Sequence, residues 1–472
     1  MKKVTAILIL LLIFISCAAN QQQNPIDTNA ANININEETT EINYYRNIPA
    51  GTNYDGYTFN ILQFDHHEWL LYIEIDEFNG EVLNDAAYTR NLEVCQLLGI
   101  EINTIKTSDI LNKMKRSNTA GDNSYDLIIP WISENFSAAM IENQVYDWNK
   151  IPVVELKAPW YIQSANDMCN VNGKQYYVVS PLTYTNQQHS RMMFNKELFV
   201  DLGLEYPYQL VYDGKWTYEA LYKYINNSYA DLNGDGKKDD SDRFGINAYP
   251  VECASLIRLW GGFPINIGPD GFTLNLFNDK LASAADKVAA LCASVDYIPE
   301  KTGFTKRIFH GGNVLFAMYS SHPMGLRDIE FDFGYLPYPK YDEAQNDYIT
   351  YGGGGFMAVP ISKPENELER VGVIFEALSA ASYKHVTDAF VLHYMEGKVI
   401  RDEDSVNMYR ICRRTETYDR ASIFDITGVI NGKYYTELVT TDTANLASQY
   451  EKYRPQLEQS LKDLYEAIIS NN

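Results

Sequence analysis

The sharpest chemical signature in the chain is a run of oxygen-bearing side chains at alternating positions, Asp231-Leu232-Asn233-Gly234-Asp235-Gly236-Lys237-Lys238-Asp239-Asp240-Ser241-Asp242. Alternate residues of a tight loop turn their oxygens to one centre, Gly236 permits the sharp bend, and the main-chain carbonyl of Lys237 adds a further donor. This is the register of a calcium-binding loop at its first, third, fifth, sixth and ninth positions. The last position is Asp242, one methylene shorter than the usual Glu, so bidentate closure demands a tighter loop. The run predicts a structural calcium ion held by Asp231, Asn233, Asp235, Lys237, Asp239 and Asp242, with no position left over for a substrate. Asn-Gly-Asp-Gly is also turn chemistry in its own right, so a solvated acidic turn is the alternative.

Aromatic side chains are the second signal. With 36 Tyr, 6 Trp and 20 Phe, number alone selects none of them, and position must decide. Aromatic faces stack on the apolar face of a sugar ring, and Tyr and Trp add a polar tip. Trp131 follows a strand-like run, Tyr184 follows another, Trp260 precedes Gly261-Gly262, and Tyr351 precedes four glycines. Core packing is the alternative for each. Asp65, just after the first strand, and Arg327, after the loop that follows Tyr319, are the polar candidates, because a carboxylate and a guanidinium make bidentate contacts with ring hydroxyls. His66-His67 invites a metal reading, but neighbours on a strand point to opposite faces. Gly352-Gly353-Gly354-Gly355 lacks the following Lys-Ser/Thr of a phosphate loop and leads into a strand, so it is read as a hinge. Glycoside hydrolysis needs two carboxylates held roughly 5–10 Å apart across the sugar bond; no hydrolase-like motif appears, and no catalytic residue is expected.

The N-terminus reads as an export signal, with Lys2 and Lys3 preceding an apolar run from Val4 to Ile15 that is too short to span a bilayer. Phe14-Ile15-Ser16-Cys17 resembles a bacterial lipobox, in which Cys17 is diacylated and becomes the new N-terminus. From Ala18 to about Asn43 the chain is rich in Asn, Gln, Thr and Glu, too polar to offset the entropy of ordering. As a coil it reaches roughly 28 Å, enough to hold a globular body off a membrane surface. The other five cysteines, Cys95, Cys169, Cys253, Cys292 and Cys412, are odd in number and widely spaced, which does not describe a disulfide framework. The formal net charge of −23 argues against nucleic acid or anionic lipid as partners.

The elements that must position these residues alternate as in an α/β fold with largely parallel sheets. Strands are expected at 57–64, 125–129, 313–319, 333–337 and 356–360, and helices at 85–98, 217–225 and 280–294. The first of the helices takes its face from Ala86, Ala87, Leu92, Val94, Leu97 and Leu98, with Gly99 closing it.

In that order, Gly80-Glu81 to Arg90-Asn91, Tyr125 to Trp131, Met193-Phe194-Asn195-Lys196-Glu197-Leu198-Phe199, Trp216-Thr217, Phe333 to Pro339 and Tyr351 to Val359 resemble the family 1 extracellular solute-binding proteins, the group that includes maltose-binding-like lipoproteins of bacterial ABC importers. The resemblance implies a two-lobe α/β fold of the type II periplasmic-binding-protein class, with a ligand cleft between lobes. The residues themselves mark a signal segment over 1–16 and a tether over 17–44; the resemblance implies one lobe of 45–180 plus 349–395 and another of 181–348 plus 396–472. It further implies a non-enzymatic protein, lipid-anchored at the extracytoplasmic face of the membrane, that captures a sugar or oligosaccharide for ABC permease subunits. A secreted glycan-active hydrolase and a surface binding protein with no transporter are the alternatives.

Overall fold

The computed structural model describes residues 42–471 apart from 66–72, 131–135, 184–187, 302–306, 320–322, 354 and 442–444. Tyr44–Asn472 forms one unit.

The first sheet is made by β1 (Tyr57–Phe64), β2 (Ile100–Thr107) and β3 (Leu127–Ile129), in the order β2-β1-β3 with all strands parallel. Side chains alternate across a strand. Ile61 accordingly joins one core and Leu62 the other, both wholly buried, so the sheet is covered on both faces as parallel sheets are. Between β1 and β2 runs the helix Val82–Leu98. It stops at Gly99, whose left-handed backbone (φ 61°) lets its amide bond back to Cys95, and a Cβ there would lie 2.3 Å from Asn53 Oδ1. The buried face of this helix differs from the expected one. Leu92 and Leu97 are exposed, whereas Asn84, Arg90 and Asn91 are buried beside Leu83, Ala87, Val94 and Leu98. Arg90 and Asn91 reach inward to the carbonyl of Ile73, and Arg90 also to that of Leu182, so the helix closes on the loops at the strand ends through polar contacts rather than leucines.

The chain leaves this lobe after β4 (Val178–Val179), passes through β5 (Gln188–His189) and enters a second sheet at β6 (Arg191–Asn195). Next come β7 (Phe244–Ala248), a hairpin of β8 (Ile265–Gly268) and β9 (Gly271–Leu274), then β10 (Tyr297–Pro299), β11 (Val314–Tyr319) and β12 (Phe333–Leu336). The second sheet has the order β10-β7-β11-β6-β12, in which β6 alone runs against its neighbours. The chain returns through β13 (Thr350–Gly353) and β14 (Phe356–Met357), crosses again in the long helical stretch from Leu368 to Val399, and adds β15 (Glu416–Thr417) and the closing helix Leu446–Ser470. The outgoing and returning crossings are bonded side by side. β13 pairs antiparallel with β5 and parallel with β15, and β14 pairs with β4.

Two further contacts tie the body together. Tyr44–Asn47 lies on the first lobe: Tyr45 donates to Glu93, Asn47 to Glu155 and Glu376, and the Arg46 guanidinium bonds Glu155 and sits 5.1 Å from the Trp160 ring. At the other end, Lys174 donates to the last carbonyls of the closing helix, where a cation meets the negative end of the helix dipole. No helix among the described residues is long and apolar enough to cross a membrane.

Candidate functional site

Open α/β sheets place ligands beyond the carboxyl ends of their strands. In the second sheet that edge is built by Ala248, Pro299 and Tyr319, together with Arg191 at the start of β6. Tyr249 follows β7, and Pro250 opens the helix Pro250–Gly261, because its fixed φ suits a first helical turn and its missing N–H would have had no partner. Glu252, three residues on, accepts the Tyr249 amide at 3.0 Å. The same carboxylate takes both terminal nitrogens of Arg307 at 2.9 Å, and Arg307 also donates to the carbonyl of Met318 at 2.7 Å. The Arg307 guanidinium lies 4.1 Å from the Tyr319 ring and 4.8 Å from that of Tyr249. Burial alone would lower the Arg307 pKa; the carboxylate of Glu252 outweighs it and holds the guanidinium above its ordinary value. The outcome is a rigid edge, with Tyr319 bonded to His310 at 3.0 Å and Tyr249 left half-exposed beside Pro250.

Tyr249 is the residue that sequence reading passed over. Its signal was present: Phe244-Gly245-Ile246-Asn247-Ala248 is a short strand run, and Tyr-Pro immediately after it marks a strand-to-helix junction at the ligand edge.

Tyr351 occupies the returning crossing. Its main chain bonds Ser190 in both directions, its ring is 5.3 Å from the Arg258 guanidinium and 5.8 Å from the Phe263 ring, and its hydroxyl donates to Asp419 at 3.3 Å. Burial raises the Asp419 carboxyl above its ordinary pKa despite Arg258 beside it. Gly352, expected to serve the hinge through its backbone freedom, does not lie in the left-handed region. What it supplies is space: a Cβ there would fall 2.4 Å from Glu416 Oε1 and 2.7 Å from Tyr418 Cζ.

The remaining expected site residues divide. Asp65 continues β1, its amide bonded to Thr107 at 3.2 Å, and stands half-buried at the carboxyl edge of the first sheet. Arg327 sits in the short turn Pro323–Asp328 after β11 and reaches Glu81 of the first lobe at 4.0 Å, an exposed contact between lobes. Trp260 is a core residue. It is 2% exposed, its Nε1 donates to Pro339 at 2.9 Å, and its ring packs against Tyr218 and Tyr341 at 5.4 and 5.8 Å. Trp131 and Tyr184, like His66 and His67, lie outside the described residues.

In the acidic loop Gly234 and Gly236 both adopt φ 73°, which a side chain would resist. Asp231 accepts the amides of Gly234 and Gly236, Asn233 that of Asp235, Asp235 that of Lys237, and Asp239 that of Ser241, all at 2.6–3.0 Å. Asp242 alone is buried, accepting from the Leu232 amide and the Tyr229 hydroxyl at 3.2 Å. Among the described residues no three His, Cys, Asp or Glu side chains are grouped closely enough to hold a metal ion. The backbone turn and the donor chemistry fit a hard cation, while the oxygens serve the amides of their own loop.

No family model and no curated protein matches the chain. Solved structures do. An ABC substrate-binding protein from Listeria monocytogenes, in complex with cycloalternan, is 14% identical, with a TM-score of 0.56 over 86% of this chain and 100% of its own. The GacH receptor of Streptomyces glaucescens, solved unliganded and with acarbose, is 14% identical, with a TM-score of 0.55 over 86% of this chain and 99% of its own. The galacto-N-biose-/lacto-N-biose I-binding protein of the ABC transporter from Bifidobacterium longum, in complex with lacto-N-biose, is 12% identical, with a TM-score of 0.54 over 87% of this chain and 98% of its own. With its two sheets, its paired crossing strands and this agreement along nearly the full length of each neighbour, the chain has the two-lobe α/β fold of the solute-binding proteins of ABC transporters.

Proposed function

We propose that this protein is an extracytoplasmic solute-binding lipoprotein that captures a sugar or oligosaccharide between its lobes and delivers it unchanged to ABC permease subunits. The observation that carries the reading is the full-length likeness to proteins solved with oligosaccharide ligands. Half-exposed Tyr249 at the carboxyl edge of the second sheet supports it, with Tyr351 in the returning crossing held by Arg258 and Asp419. A ligand clamped between two lobes takes contacts from both, so Asp65 and Trp131 would supply the first lobe's share. Calorimetric titration with maltodextrins, lacto-N-biose and acarbose is expected to show binding to at least one of them, with no reducing ends released from the oligosaccharides. Trp131→Ala should weaken that binding by roughly 30- to 700-fold, the equivalent of about 2–4 kcal/mol for a lost stacking ring. Normal binding by the variant would remove Trp131 from the site, and accumulating reducing ends would make the protein an enzyme.

The anchor in this reading is a diacylglyceryl group on Cys17. Cys17→Ser is therefore expected to leave the cell-envelope fraction and appear in the soluble one, read by fractionation and blotting. If the variant stays with the membrane and uncut after Ser16, the lipobox is wrong.

The acidic loop is assigned a structural calcium ion, held by Asp231, Asn233, Asp235, the carbonyl of Lys237, Asp239 and Asp242. A bound cation would draw these oxygens to one centre and lock the turn. Calcium should raise the melting temperature, chelator should lower it, and Asp235→Ala should respond to neither, because a ligand that binds only the folded loop stabilises by mass action. A wild-type protein indifferent to both additions would leave the loop as a solvated turn.

A further inference from the structure

We propose that Cys253 and Cys292 are a dithiol pair that closes to an intramolecular disulfide between the helices Pro250–Gly261 and Asp279–Ala293. Those helices pack closely along their length. They run antiparallel: a Cβ on Gly261, at the end of the first, would strike Leu281 at the start of the second. From Gly261 back to Cys253 is about 12 Å of helix, and from Leu281 forward to Cys292 about 16 Å, so the two cysteines lie within about one helical turn of the same level. The Cys253 thiol has the Cys292 thiol for a neighbour, and Tyr297, whose hydroxyl bonds the carbonyl of Ala248, stands beside both. The other thiols have different neighbours: Arg90 for Cys95, Arg420 for Cys169 and Thr350 for Cys412.

The neighbouring Cys292 thiol and burial both push the Cys253 thiol well above its ordinary pKa. Cys253 is wholly buried and Cys292 half-exposed. Oxidation therefore begins at Cys292. Its thiolate attacks a small-molecule disulfide such as oxidised glutathione, forming a mixed disulfide and releasing one thiolate. Cys253, deprotonated in turn, attacks the Cys292 sulfur and expels the second, so two protein thiols and one glutathione disulfide become one protein disulfide and two reduced glutathiones. The bond would fasten the helix that carries Glu252, and with it the Arg307 edge. Its chemistry is independent of ligand capture; only the meeting with an oxidant outside the cytoplasm rests on the export reading.

The purified folded protein should be incubated with oxidised glutathione at mildly alkaline pH, alkylated, digested and analysed by mass spectrometry. The expected product is one peptide pair joining Cys253 to Cys292, with Cys95, Cys169 and Cys412 alkylated. Reductant should reverse it, and the oxidised protein should melt a few degrees higher than the reduced one. Cys292→Ser, at the half-exposed position, should fold as the wild type does and lose both the cross-link and the rise in melting temperature. Recovery of Cys253 and Cys292 as separate alkylated or glutathionylated peptides, or joined to another cysteine, would overturn the pairing whether or not any sugar binds.

Discussion

Glu252→Ala is expected to destabilise the protein by about 3–5 kcal/mol, because it leaves the Arg307 guanidinium buried with no carboxylate. The side chains of Arg307 and Glu252 are 0% and 1% exposed, so water cannot replace the lost partner. Replacing both together, Glu252→Met with Arg307→Met, should recover most of the loss, since an apolar pair of similar volume removes the unpaired charge along with its partner. Arg327→Ala is the control. Its contact with Glu81 is long and solvent-exposed, with side chains 40% and 50% accessible, and its removal should cost under about 1 kcal/mol. Urea denaturation followed by circular dichroism reads all three. If Glu252→Ala unfolds at the same urea concentration as Arg327→Ala, the buried pair is not holding the carboxyl edge of the second sheet.

Trp260→Ala should likewise fail by stability and not by affinity. Truncating a fully packed tryptophan costs about 3–5 kcal/mol through lost burial and the cavity left behind. It would also strand the carbonyl of Pro339, which now accepts the indole N–H. The expected result is a large drop in melting temperature, with the surviving folded fraction binding ligand at near wild-type affinity. A folded, thermally normal variant with abolished binding would return Trp260 to the ligand site.

That residue shows where the sequence stopped being legible. Strand β1 falls at Tyr57–Phe64 and the helices at Tyr218–Ile225 and Asp279–Ala293, within a residue of expectation. In each, alternation, a capping Thr or Asn, or an alanine-rich face is a local property of the chain. Trp260 could not be placed the same way, because a tryptophan before two glycines reads alike whether its ring faces a cleft or Tyr218 and Tyr341 from distant segments. The missed strand β2, Ile100-Glu101-Ile102-Asn103-Thr104-Ile105-Lys106-Thr107, alternates only over its first half; Ile105 breaks the period, and pairing with β1 along its whole length is what makes it a strand. By contrast the 356–360 strand was overread: Phe356 and Met357 pair with β4, after which Ala358 and Pro360 make only isolated bridges to Ile128 and Val145, since proline has no amide to continue a ladder. The buried Arg90 on the first helix was invisible for a related reason. A periodicity argument assigns charged residues outward, and here the main-chain carbonyls of the loop residues Ile73 and Leu182 provide the inward partners.

The seating of Tyr44–Asn47 on the first lobe has a mechanical corollary. Any force arriving through the chain before Tyr44 is delivered to Glu93, Glu155 and Glu376, all on one side of the crossing strands. A molecule moored by its N-terminus, as proposed, would therefore hang by side chains of the first lobe.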